Sequence, residues 1–538
     1  MTRRLPASMR ALLPDSLTTQ KPREGTPQIA IIGSGFAGLL MGIRLKQAGI
    51  ETFTIYEKQD SVGGVWRDNT YPGAACDVPS HLYSYSFYPK HDWTRAYSPQ
   101  PEILDYLEDC ADHYGLHPYI RFGPEIASAD WDSGTCKWTL ETTTGETATA
   151  DVLVPACGQL SQPAYPDIAG RDEFAGVQFH SARWNHAADL AGKTVAVVGT
   201  GASAIQFVPE VAREAGRVCV FQRSPAWVLP RPDGKYADRV KRAFQTIPGI
   251  RQAHRSTIYL TLESQLIAMR GGPMGAIWKQ LAVRNLDRWI DDPALRAKLT
   301  PDYQIGCKRT LISNDWYRAL AKDHVEVITD EIAQIYDAGL RTENGDEYPV
   351  DAIIYGTGFK TTEFLAPMQI TGRDGTKLND AWQGGAEAYL GMTVPGFPNM
   401  FMLYGPNTNL GHNSIVFMLE CQAGYALQAV EALAQGDAAS LDVRESRMRT
   451  YNDDLQSELD ATVWASGCDN WYTNAGGKNT NNWPGWTLAY KQRTRTLEPS
   501  DFETLVPTPD LPQAVSVQQA AAEQRGTGRI GRPHDRTP

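Results

Sequence analysis

Short apolar runs, each followed by a glycine turn, recur along the chain and predict strands buried on both faces. The first run is 28–32, and a second run, 52–56, follows it after the segment 39–45, whose apolar period predicts a helix. The same order returns with runs at 194–198 and 217–222. Buried parallel strands that alternate with helices are typical of α/β proteins. The pattern therefore predicts an α/β fold with two Rossmann-like units.

The turn after the first run is typical of a dinucleotide-binding loop, and it reads Gly33-Ser34-Gly35-Phe36-Ala37-Gly38. The first glycine permits a tight turn, the second lets a pyrophosphate approach the backbone, and the third lets the helix pack against the strand. Glu57 follows Gly33 by 24 residues, ends the next strand and is predicted to accept hydrogen bonds from ribose hydroxyls. A glycine turn required only by sterics is the alternative, but the strand, the helix and the acid together favour a bound dinucleotide.

The turn of the second unit has the related sequence Gly199-Thr200-Gly201-Ala202-Ser203-Ala204. Its next strand leads to Arg223 and Ser224 instead of an acid. A carboxylate would repel a ribose 2′-phosphate, whereas a guanidinium binds one through two hydrogen bonds. The second ligand is therefore predicted to be NADP(H), and a solvated cation at the strand end is the alternative for Arg223.

The segment 229–307 differs in character, because its aromatic residues recur at helical spacing. It predicts a helical subdomain, to which we assign no chemistry, since such a stripe usually belongs to a core. Apolar strands near 151–158 and 351–358 both run into a glycine. These two crossings predict that the second dinucleotide unit is inserted within the first.

Charge and length exclude several classes of partner. The 538 residues carry a net charge of -11 with a pI near 5.5, which argues against a nucleic acid or an anionic membrane surface. No apolar stretch approaches the ~18 residues of a membrane span, and the basic N-terminus lacks the apolar core of a secretory signal. A cytoplasmic location is therefore expected. The two ends are expected to be tails, and the C-terminal tail is expected to be disordered or to wrap in extended form.

The eight cysteines show neither a C-x-x-C pair nor zinc-finger spacing with histidine; they are residues 76, 110, 136, 157, 219, 307, 421 and 468. We expect reduced and mostly buried thiols in a reducing compartment. The absence of a closely spaced pair argues against a flavin disulfide reductase. No metal site is predicted.

Between the two glycine loops lies the segment Phe174-Ala-Gly176-Val-Gln-Phe-His180-Ser-Ala-Arg-Trp184. In this position it resembles the opening pattern of the type I Baeyer–Villiger monooxygenases, within the wider flavin-containing monooxygenase superfamily. The resemblance covers most of residues 25–490. Trp184 is the main distinction from the N- and S-oxygenating relatives, and Asn185 departs from the Pro or Asp that usually follows. The resemblance implies that His180 and Trp184 have structural and conformational roles.

Other segments resemble the loops by which this family holds its cofactors. Gly64, Val65 and Trp66 lie in what resembles the flavin-side loop, and segment 69–80, with Tyr71 and Asp77, resembles the stretch next to the isoalloxazine. Gln159 lies in what resembles the loop beside the nicotinamide, and Lys308 with Arg309 matches the segment of a phosphate-binding lysine and a catalytic arginine. Segments 396–407 and 471–485 resemble a flavin-contacting loop and a mobile loop on the substrate side.

The resemblance implies FAD in the first unit and NADPH in the second. The implied reaction passes a hydride to FAD, forms a C4a-peroxyflavin with O2, and inserts one oxygen beside a ketone carbonyl to give an ester or lactone. Arg309 is the implied fixed cation for anions formed in a dry site, and Asp77 positions it. Lys308 and Arg223 are assigned to the 2′-phosphate and Gln159 to the nicotinamide. A solvated loop charge is the alternative for Lys308 and Arg309.

Arg309 and Asp77 are the predicted catalytic residues. The predicted cofactor-binding residues are Gly33, Gly35, Phe36, Ala37, Gly38, Glu57, Lys58, Gly64, Val65, Trp66, Tyr71, Asp77, Gln159, Thr200, Gly201, Ala202, Ser203, Arg223, Ser224, Lys308, Arg309 and Trp471. The predicted domains are an N-terminal tail, 1–25; an FAD domain, 26–160 and 360–505; an NADP domain, 161–228 and 308–359; a helical subdomain, 229–307; and a C-terminal tail, 506–538.

The expected partners are O2 and a ketone, with cyclic, aromatic and steroid-like ketones left open, and neither nucleic acid nor membrane. The expected assembly is a monomer or a weak homo-oligomer. Two other functions stay open. One is a heteroatom oxygenase that converts sulfides or amines to oxides, and the other is an NADPH oxidase or nucleotide-binding redox sensor without an organic substrate.

Overall fold

The computed structural model describes residues 25–436 and 438–505. The predicted tails lie outside these residues, apart from residue 25. The first sheet has four parallel strands, in the spatial order Ile120–Phe122, Phe53–Glu57, Ile29–Ile32 and Val152–Pro155. The strands Ile29–Ile32 and Val152–Pro155 are buried at every residue, as expected for parallel strands covered on both faces.

The helix Phe36–Gln47 begins within the first glycine loop and connects two neighbouring strands of the first sheet. It buries Leu39, Leu40 and Met41 completely. Its partner is the long helix Ile415–Gln435, which comes from the far end of the chain. The core of the first unit is therefore built from both ends of the described sequence.

The outer edge of the strand Val152–Pro155 is also covered by a distant segment. Leu153 donates its N–H to the carbonyl of Asn399 (3.0 Å) and accepts from the N–H of Phe401 (3.0 Å). The carbonyl of Pro155 accepts from the N–H of Leu403 (2.9 Å). The first sheet is thus completed only after the chain has passed through the second.

The second sheet has five parallel strands, in the order Val325–Ile328, Arg217–Phe221, Thr194–Val198, Ala352–Tyr355 and Val177–His180. The helix Ala204–Glu214 follows the second glycine loop and packs against the helix Trp316–Leu320. Buried Phe207, Val208 and Val211 attach the first of these helices to the sheet.

The other strands form smaller sheets beside the two large ones. A four-stranded sheet has the order Gln369–Thr371, Ile126–Asp132, Lys137–Thr142 and Thr147–Ala150, and a three-stranded antiparallel sheet has the order Ile332–Tyr336, Gly339–Thr342 and Glu347–Pro349. Val228–Leu229 pairs with Leu311–Ile312, and Ser440–Val443 pairs with Phe502–Leu505.

The segment between Leu229 and Leu311 is helical, and its helices are Asp238–Thr246, Ile250–Ser264, Leu266–Met269, Pro273–Asp287 and Pro293–Leu299. Both 277–281 and 286–290 are apolar and aromatic runs, but only the first lies wholly in a helix, because the helix Pro273–Asp287 ends within the second. This segment rests on the first unit, because the ring of Tyr259 lies 5.5 Å from that of Phe417. The remaining α-helices of the described residues are Val65–Asp68, Gln100–His113, Leu378–Ala381, Glu445–Asp460 and Thr487–Arg493.

Two parallel sheets, each with a glycine loop after a central strand, confirm the predicted fold class. The domain boundaries remain predictions. Within the described ranges, no helix is both long and apolar enough to cross a membrane.

Cys307 and Cys468 form a disulfide across 161 residues. The expectation of reduced thiols is therefore wrong for these two, because only tertiary proximity pairs cysteines so far apart. The other six are free, with Cys157 and Cys421 half-buried and the rest buried.

Candidate active site

The first glycine loop and the loop that contains Gly64 line a narrow cleft of bare backbone. Gly33 has a φ of +104°, and a Cβ there would lie 2.8 Å from the carbonyl oxygen of Ala156. A Cβ on Gly38 would lie 1.8 Å from the carbonyl oxygen of Gly33, so no larger residue fits. Gly64 faces Gly35, and its Cβ would lie 3.1 Å from the Cα of Gly35. A bare backbone cleft of this kind fits a pyrophosphate.

The helix that starts at this cleft has free hydrogen-bond donors for an anion. Gly35 is its N-cap, and no side chain caps its first turn. The first N–H groups of a helix lack intrahelical partners and attract phosphate. The helix start and the cleft thus favour the same ligand, with Phe36 and Ala37 buried beside it.

Glu57 is buried and holds the glycine loop in place. Its Oε2 accepts from the backbone N–H (3.0 Å) and the hydroxyl (2.7 Å) of Ser34. Its Oε1 lies 3.2 Å from Nη1 of Arg67. Ser34 was not predicted from the sequence. A hydroxyl residue inside a glycine loop, followed by a helix and a strand that ends in an acid, would have indicated this pair. That Glu57 accepts hydrogen bonds from ribose hydroxyls remains a prediction. Lys58, which was also predicted to bind the cofactor, has its ammonium 3.1 Å from Oε1 of Glu125 and forms an ion pair there.

Aromatic rings wall the cleft on the side of Phe36. Its ring lies edge-on to those of Tyr83 (5.1 Å) and Tyr85 (5.4 Å). The indole N–H of Trp66 donates to the hydroxyl of Tyr83 (3.2 Å). Burial raises the pKa of Tyr83 well above its ordinary value, so this phenol stays neutral. Tyr83 was not predicted, since the sequence carries no pattern around it.

The segment after Val65–Asp68 joins the two units. The hydroxyl of Tyr71 donates to Oε1 of Gln206 (3.0 Å), which lies on the helix Ala204–Glu214. The side chain of Gln206 also donates to the carbonyl of Ala75 (2.9 Å) and accepts from its N–H (3.3 Å). A Cβ on Gly73 would lie 2.6 Å from the carbonyl oxygen of Gln206. The first unit therefore touches the second directly beside the second glycine loop.

The second glycine loop repeats the features of the first. Gly199 has a φ of +103°, and a Cβ there would lie 2.6 Å from the carbonyl oxygen of Gly356. Ser203 is the N-cap of the helix Ala204–Glu214, and its side chain makes no capping hydrogen bond. Gly201 and Ala202 are exposed, which leaves room for a ligand on the loop.

Two cations lie next to this loop. The ammonium of Lys308 donates to the hydroxyl of Ser224 (3.0 Å), and Thr200 donates to the carbonyl of Ser224 (3.3 Å). The guanidinium of Arg223 is exposed, and its Nη2 lies 3.3 Å from Oδ2 of Asp469. Burial lowers the pKa of Lys308 from its ordinary value. The residues predicted for the 2′-phosphate are thus brought together, and Asp469 joins them without having been predicted.

Gln159 is buried, and neither its amide oxygen nor its amide nitrogen has a hydrogen-bond partner. An unpaired buried amide costs free energy in the protein alone. A ligand that presents both a donor and an acceptor removes this cost. The carboxamide of a nicotinamide, which the sequence assigned to Gln159, has this chemistry.

Arg309 and Asp77 form an ion pair, although they are 232 residues apart. Nε and Nη2 of Arg309 donate to the same oxygen, Oδ2 of Asp77, at 3.0 and 2.5 Å. The charge of Asp77 raises the pKa of Arg309 further above its ordinary value, against the effect of burial. The guanidinium is therefore a permanent cation with a fixed orientation, and the pair does not use Nη1.

Two tyrosines that the sequence did not single out lie close to this ion pair. The charges of Arg309 and Asp77 act on both Tyr404 and Tyr472. Burial raises the pKa of Tyr472 to about 12, so its phenol is neutral at physiological pH. The ring of Trp471 lies 4.4 Å from that of Tyr472. The only sequence signal was the resemblance of 396–407 and 471–485 to cofactor and substrate loops.

The same two loops are joined to each other by backbone and side-chain hydrogen bonds. Asn407 donates its N–H to the carbonyl of Thr480 (2.8 Å), and Asn409 donates its N–H to that of Asn481 (2.9 Å). The amide of Asn409 also donates to Oδ1 of Asn482 (2.9 Å). The loop of 404–409 and the segment 479–483 thus form one surface beside Arg309.

The segment from Phe174 to Trp184 belongs to the second unit, and its side chains pack closely against their neighbours. A Cβ on Gly176 would lie 2.5 Å from the ring of Phe174, so only glycine fits. His180 ends a strand with its side chain fully buried, and burial lowers its pKa to about 4. The ring of Trp184 packs 5.4 Å from that of Phe207. This geometry supports the structural roles predicted for His180 and Trp184.

No group of three or more His, Cys, Asp or Glu side chains suited to a metal occurs in the part of the chain that the structure describes. The polar groups of the site are instead the Arg309–Asp77 ion pair, the ammonium of Lys308, the N-termini of two helices and the unpaired amide of Gln159.

The chain matches known proteins over most of its length. The flavin-binding monooxygenase-like (FMO-like) family profile matches residues 26–368. A Baeyer-Villiger monooxygenase of Streptomyces coelicolor is 44% identical over 486 residues, which are 90% of this chain and 93% of the relative. The solved structure of an oxidized steroid monooxygenase bound to NADP superposes with a TM-score of 0.78 at 30% identity, covering 89% and 99% of the two chains. OTEMO, solved in complex with FAD and NADP, gives a TM-score of 0.80 at 25% identity, covering 89% and 99%.

Proposed function

Since the chain belongs to the flavin-binding monooxygenase-like family, we propose that it is an FAD- and NADPH-dependent Baeyer–Villiger monooxygenase. Its reaction inserts one oxygen atom of O2 beside a ketone carbonyl and gives an ester or a lactone. The observation that carries this proposal is the ion pair of Arg309 and Asp77, which joins the segment after the first glycine loop to the residue that follows Lys308. The same reaction is named for the relative of Streptomyces coelicolor.

FAD is assigned to the first unit. Gly33, Gly35 and Gly64 would hold its pyrophosphate, and the wall of Phe36 and Trp66 would flank it. NADPH is assigned to the second unit. Thr200 and Gly201 would hold its pyrophosphate, Arg223, Ser224 and Lys308 its 2′-phosphate, and Gln159 its carboxamide. When bound, the two cofactors supply the hydride and the activation of O2.

Arg309 stabilises the negative charge that develops on the oxygens of the reaction. A guanidinium does not lose its proton near neutral pH, so its charge is constant through the cycle. A fixed cation in a site that excludes water stabilises an anion far more than a mobile cation in water does. Asp77 holds Nε and Nη2 and leaves Nη1 outside this ion pair.

We expect the loops beside Arg309 to exclude water once the cofactors are bound, since the side chain of Arg309 is 27% exposed in the protein alone. The phenols of Tyr404 and Tyr472 are neutral because burial raises the pKa of each, and they add no charge that competes with the reacting anion. The surface of 404–409 and 479–483 closes the same region through its paired amides. The ketone is expected to enter between this surface and the helical segment that packs on Phe417.

The test separates hydride transfer from oxygen insertion. The Arg309→Ala variant should still reduce its flavin with NADPH, while ester formation falls by about 100-fold or more, because the cation acts on the anion of the second step. Asp77→Asn should lower ester formation by about 10-fold, since it loosens the guanidinium without removing it. Arg318→Ala is the matched control, because that arginine is exposed on the helix Trp316–Leu320.

The readouts are flavin reduction in the absence of O2 and the ester formed per NADPH consumed, with a cyclic ketone and a thioether as substrates. Ester formation at the wild-type rate in Arg309→Ala contradicts the role of Arg309. A wild-type protein that oxidises only the thioether is a heteroatom oxygenase. One that forms H2O2 alone, with every ketone tried, is an NADPH oxidase.

A further inference from the structure

An acidic side chain lies within the cation cluster that the proposed function assigns to the 2′-phosphate of NADPH. Oδ2 of Asp469 is 3.3 Å from Nη2 of Arg223. The cluster also contains Lys308, whose ammonium lies 3.0 Å from the hydroxyl of Ser224. A carboxylate here carries the same sign of charge as the phosphate and uses the same guanidinium. The two anions therefore compete for Arg223.

The ion pair alone is too weak to hold Asp469 in this position. The side chains of Arg223 and Asp469 are 85% and 78% exposed, and exposed pairs contribute about 0–1 kcal/mol. The preceding residue is Cys468, which is bonded to Cys307, and Cys307 itself precedes Lys308. The disulfide thus ties the residue before Asp469 to the residue before Lys308.

The segment that carries Asp469 is fixed on its other side as well. The amide of Asn470 donates to the carbonyl of Cys468 (3.3 Å), and its oxygen accepts from the N–H of Tyr472 (2.9 Å). The carbonyl of Trp471 accepts from the hydroxyl of Thr361 (2.9 Å). Asp469 lies between the disulfide-bonded Cys468 and the hydrogen-bonded Asn470, so its backbone is held close to Arg223.

We propose that Asp469 is a residue that sets coenzyme specificity, and that the Cys307–Cys468 disulfide is its positioning element. The inference rests on the proposed function, because it requires the 2′-phosphate to bind at Arg223 and Lys308. With the disulfide formed, Asp469 partly neutralises the cluster and lowers the preference for NADPH over NADH. With the disulfide broken, Asp469 leaves and the preference rises.

A dithiol breaks the bond by two exchanges. A thiolate of the reductant attacks Sγ of Cys468, which is half-buried, and expels the thiolate of Cys307, which is fully buried. The second thiol of the reductant then attacks the mixed disulfide and expels the thiolate of Cys468. Two electrons and two protons pass to the protein, and the reductant leaves as a cyclic disulfide.

The experiment compares Asp469→Asn, Cys468→Ser and the double variant, each as the full-length flavoprotein. The ratio of kcat/KM for NADPH to that for NADH should rise by about 2- to 5-fold in Asp469→Asn, the size expected of one exposed charge pair. It should rise equally in Cys468→Ser, and the double variant should show no further increase. Binding of 2′,5′-ADP, measured by calorimetry, should tighten by the same factor, while binding of 5′-ADP stays unchanged.

Asp454→Asn is the matched control, because that exposed acid lies on the helix Glu445–Asp460, away from the cluster. Treatment of the wild type with a dithiol is a second route to the broken disulfide, which serves if Cys468→Ser does not fold. An unchanged or lowered ratio in Asp469→Asn overturns the role of Asp469. Additive effects of the two changes overturn the positioning role of the disulfide.

A failure of the proposed coenzyme site has a different signature. In that case Arg223→Ala leaves the preference for NADPH and the binding of 2′,5′-ADP unchanged, and the inference about Asp469 falls with it. If Arg223→Ala abolishes the preference but Asp469→Asn has no effect, the site stands and only the inference about Asp469 is wrong.

Discussion

The hydroxyl of Tyr71 donates a 3.0 Å hydrogen bond to the side chain of Gln206, and this bond crosses from one dinucleotide unit to the other. Gln206 also bonds both the N–H and the carbonyl of Ala75. One glutamine thus holds the segment predicted to lie next to the flavin at a fixed distance from the helix of the second loop.

We predict that Gln206→Leu weakens this junction. Tyr71 and Ala75 lose their partner, so the free energy of unfolding should fall by about 1–3 kcal/mol. Flavin reduction by NADPH should slow as well, since the two units are no longer held at a fixed distance from each other. Thermal unfolding and anaerobic stopped-flow absorbance measure the two effects. Gln280→Leu, on the exposed face of a helix, is the control, and equal behaviour of the two variants would contradict the prediction.

A methyl group at Gly64 should expel FAD. Its Cβ would lie 3.1 Å from the Cα of Gly35 and narrow the cleft assigned to the pyrophosphate. Gly64→Ala should purify with little flavin and bind added FAD at least about 10-fold more weakly, a change of about 1.4 kcal/mol. Gly145→Ala is the control, because Gly145 also has a positive φ (+83°) but has open space around its Cβ position. Full flavin content in Gly64→Ala would refute the assigned cleft.

The unpaired amide of Gln159 predicts opposite effects on stability and on coenzyme binding. Gln159→Leu removes two buried polar atoms without partners. The melting temperature of the coenzyme-free protein should therefore rise, by an amount that corresponds to about 1 kcal/mol. The further rise on adding NADP+ should shrink, because the carboxamide loses its partner.

The control for Gln159 is Gln222, which is also buried but donates to the carbonyl of Lys298 (2.7 Å). Gln222→Leu should lower the melting temperature. If Gln159→Leu lowers it equally, the amide of Gln159 has a partner within the protein and is not reserved for a ligand.

His180 should make the protein sensitive to mild acid. Its pKa falls from 6.5 to about 4 on burial, so the unfolded chain binds a proton more tightly than the folded one. The stabilisation is complete above pH 6.5 and is lost as the pH falls toward 4. Between about pH 8 and about pH 5 the loss amounts to about 2 kcal/mol.

His180→Asn should therefore lose less stability than the wild type between the two pH values, because asparagine does not titrate there. Melting temperatures across the pH range give the comparison. His186→Asn, at an exposed histidine that follows Trp184 by two residues, is the control. Parallel pH profiles for the wild type and His180→Asn would show that His180 does not titrate as inferred.

The fold class was predictable because local patterns determine it. Each glycine loop follows an apolar strand, and the φ values of Gly33 and Gly199 require glycine regardless of the rest of the chain. The positions of Glu57, at the end of its strand, and of Arg223, two residues past the end of its strand, follow from the same repeat. These features depend on neighbours in sequence, which pattern reasoning reads directly.

The site was predictable only in part, because it is built from contacts between distant segments. The pairing of Arg309 with Asp77 was expected from family resemblance and not from spacing. Tyr404 and Tyr472 reach it from loops that carry no periodic signal. The disulfide was missed because its cysteines are 161 residues apart. Asp469 was missed because it depends on that disulfide.

Leu153 and its hydrogen-bond partner Asn399 are far apart in the sequence, and this separation has a consequence for synthesis on the ribosome. The N–H of Leu153 finds its partner only when the carbonyl of Asn399 has been made. Until then one edge of the nascent first sheet stays unpaired, and an open edge is a site for pairing with other chains. The inserted sheet, whose strands all lie between Val177 and Tyr355, can close before that edge is covered. Nascent chains that stall before Asn399 should therefore be the ones that aggregate or recruit chaperones.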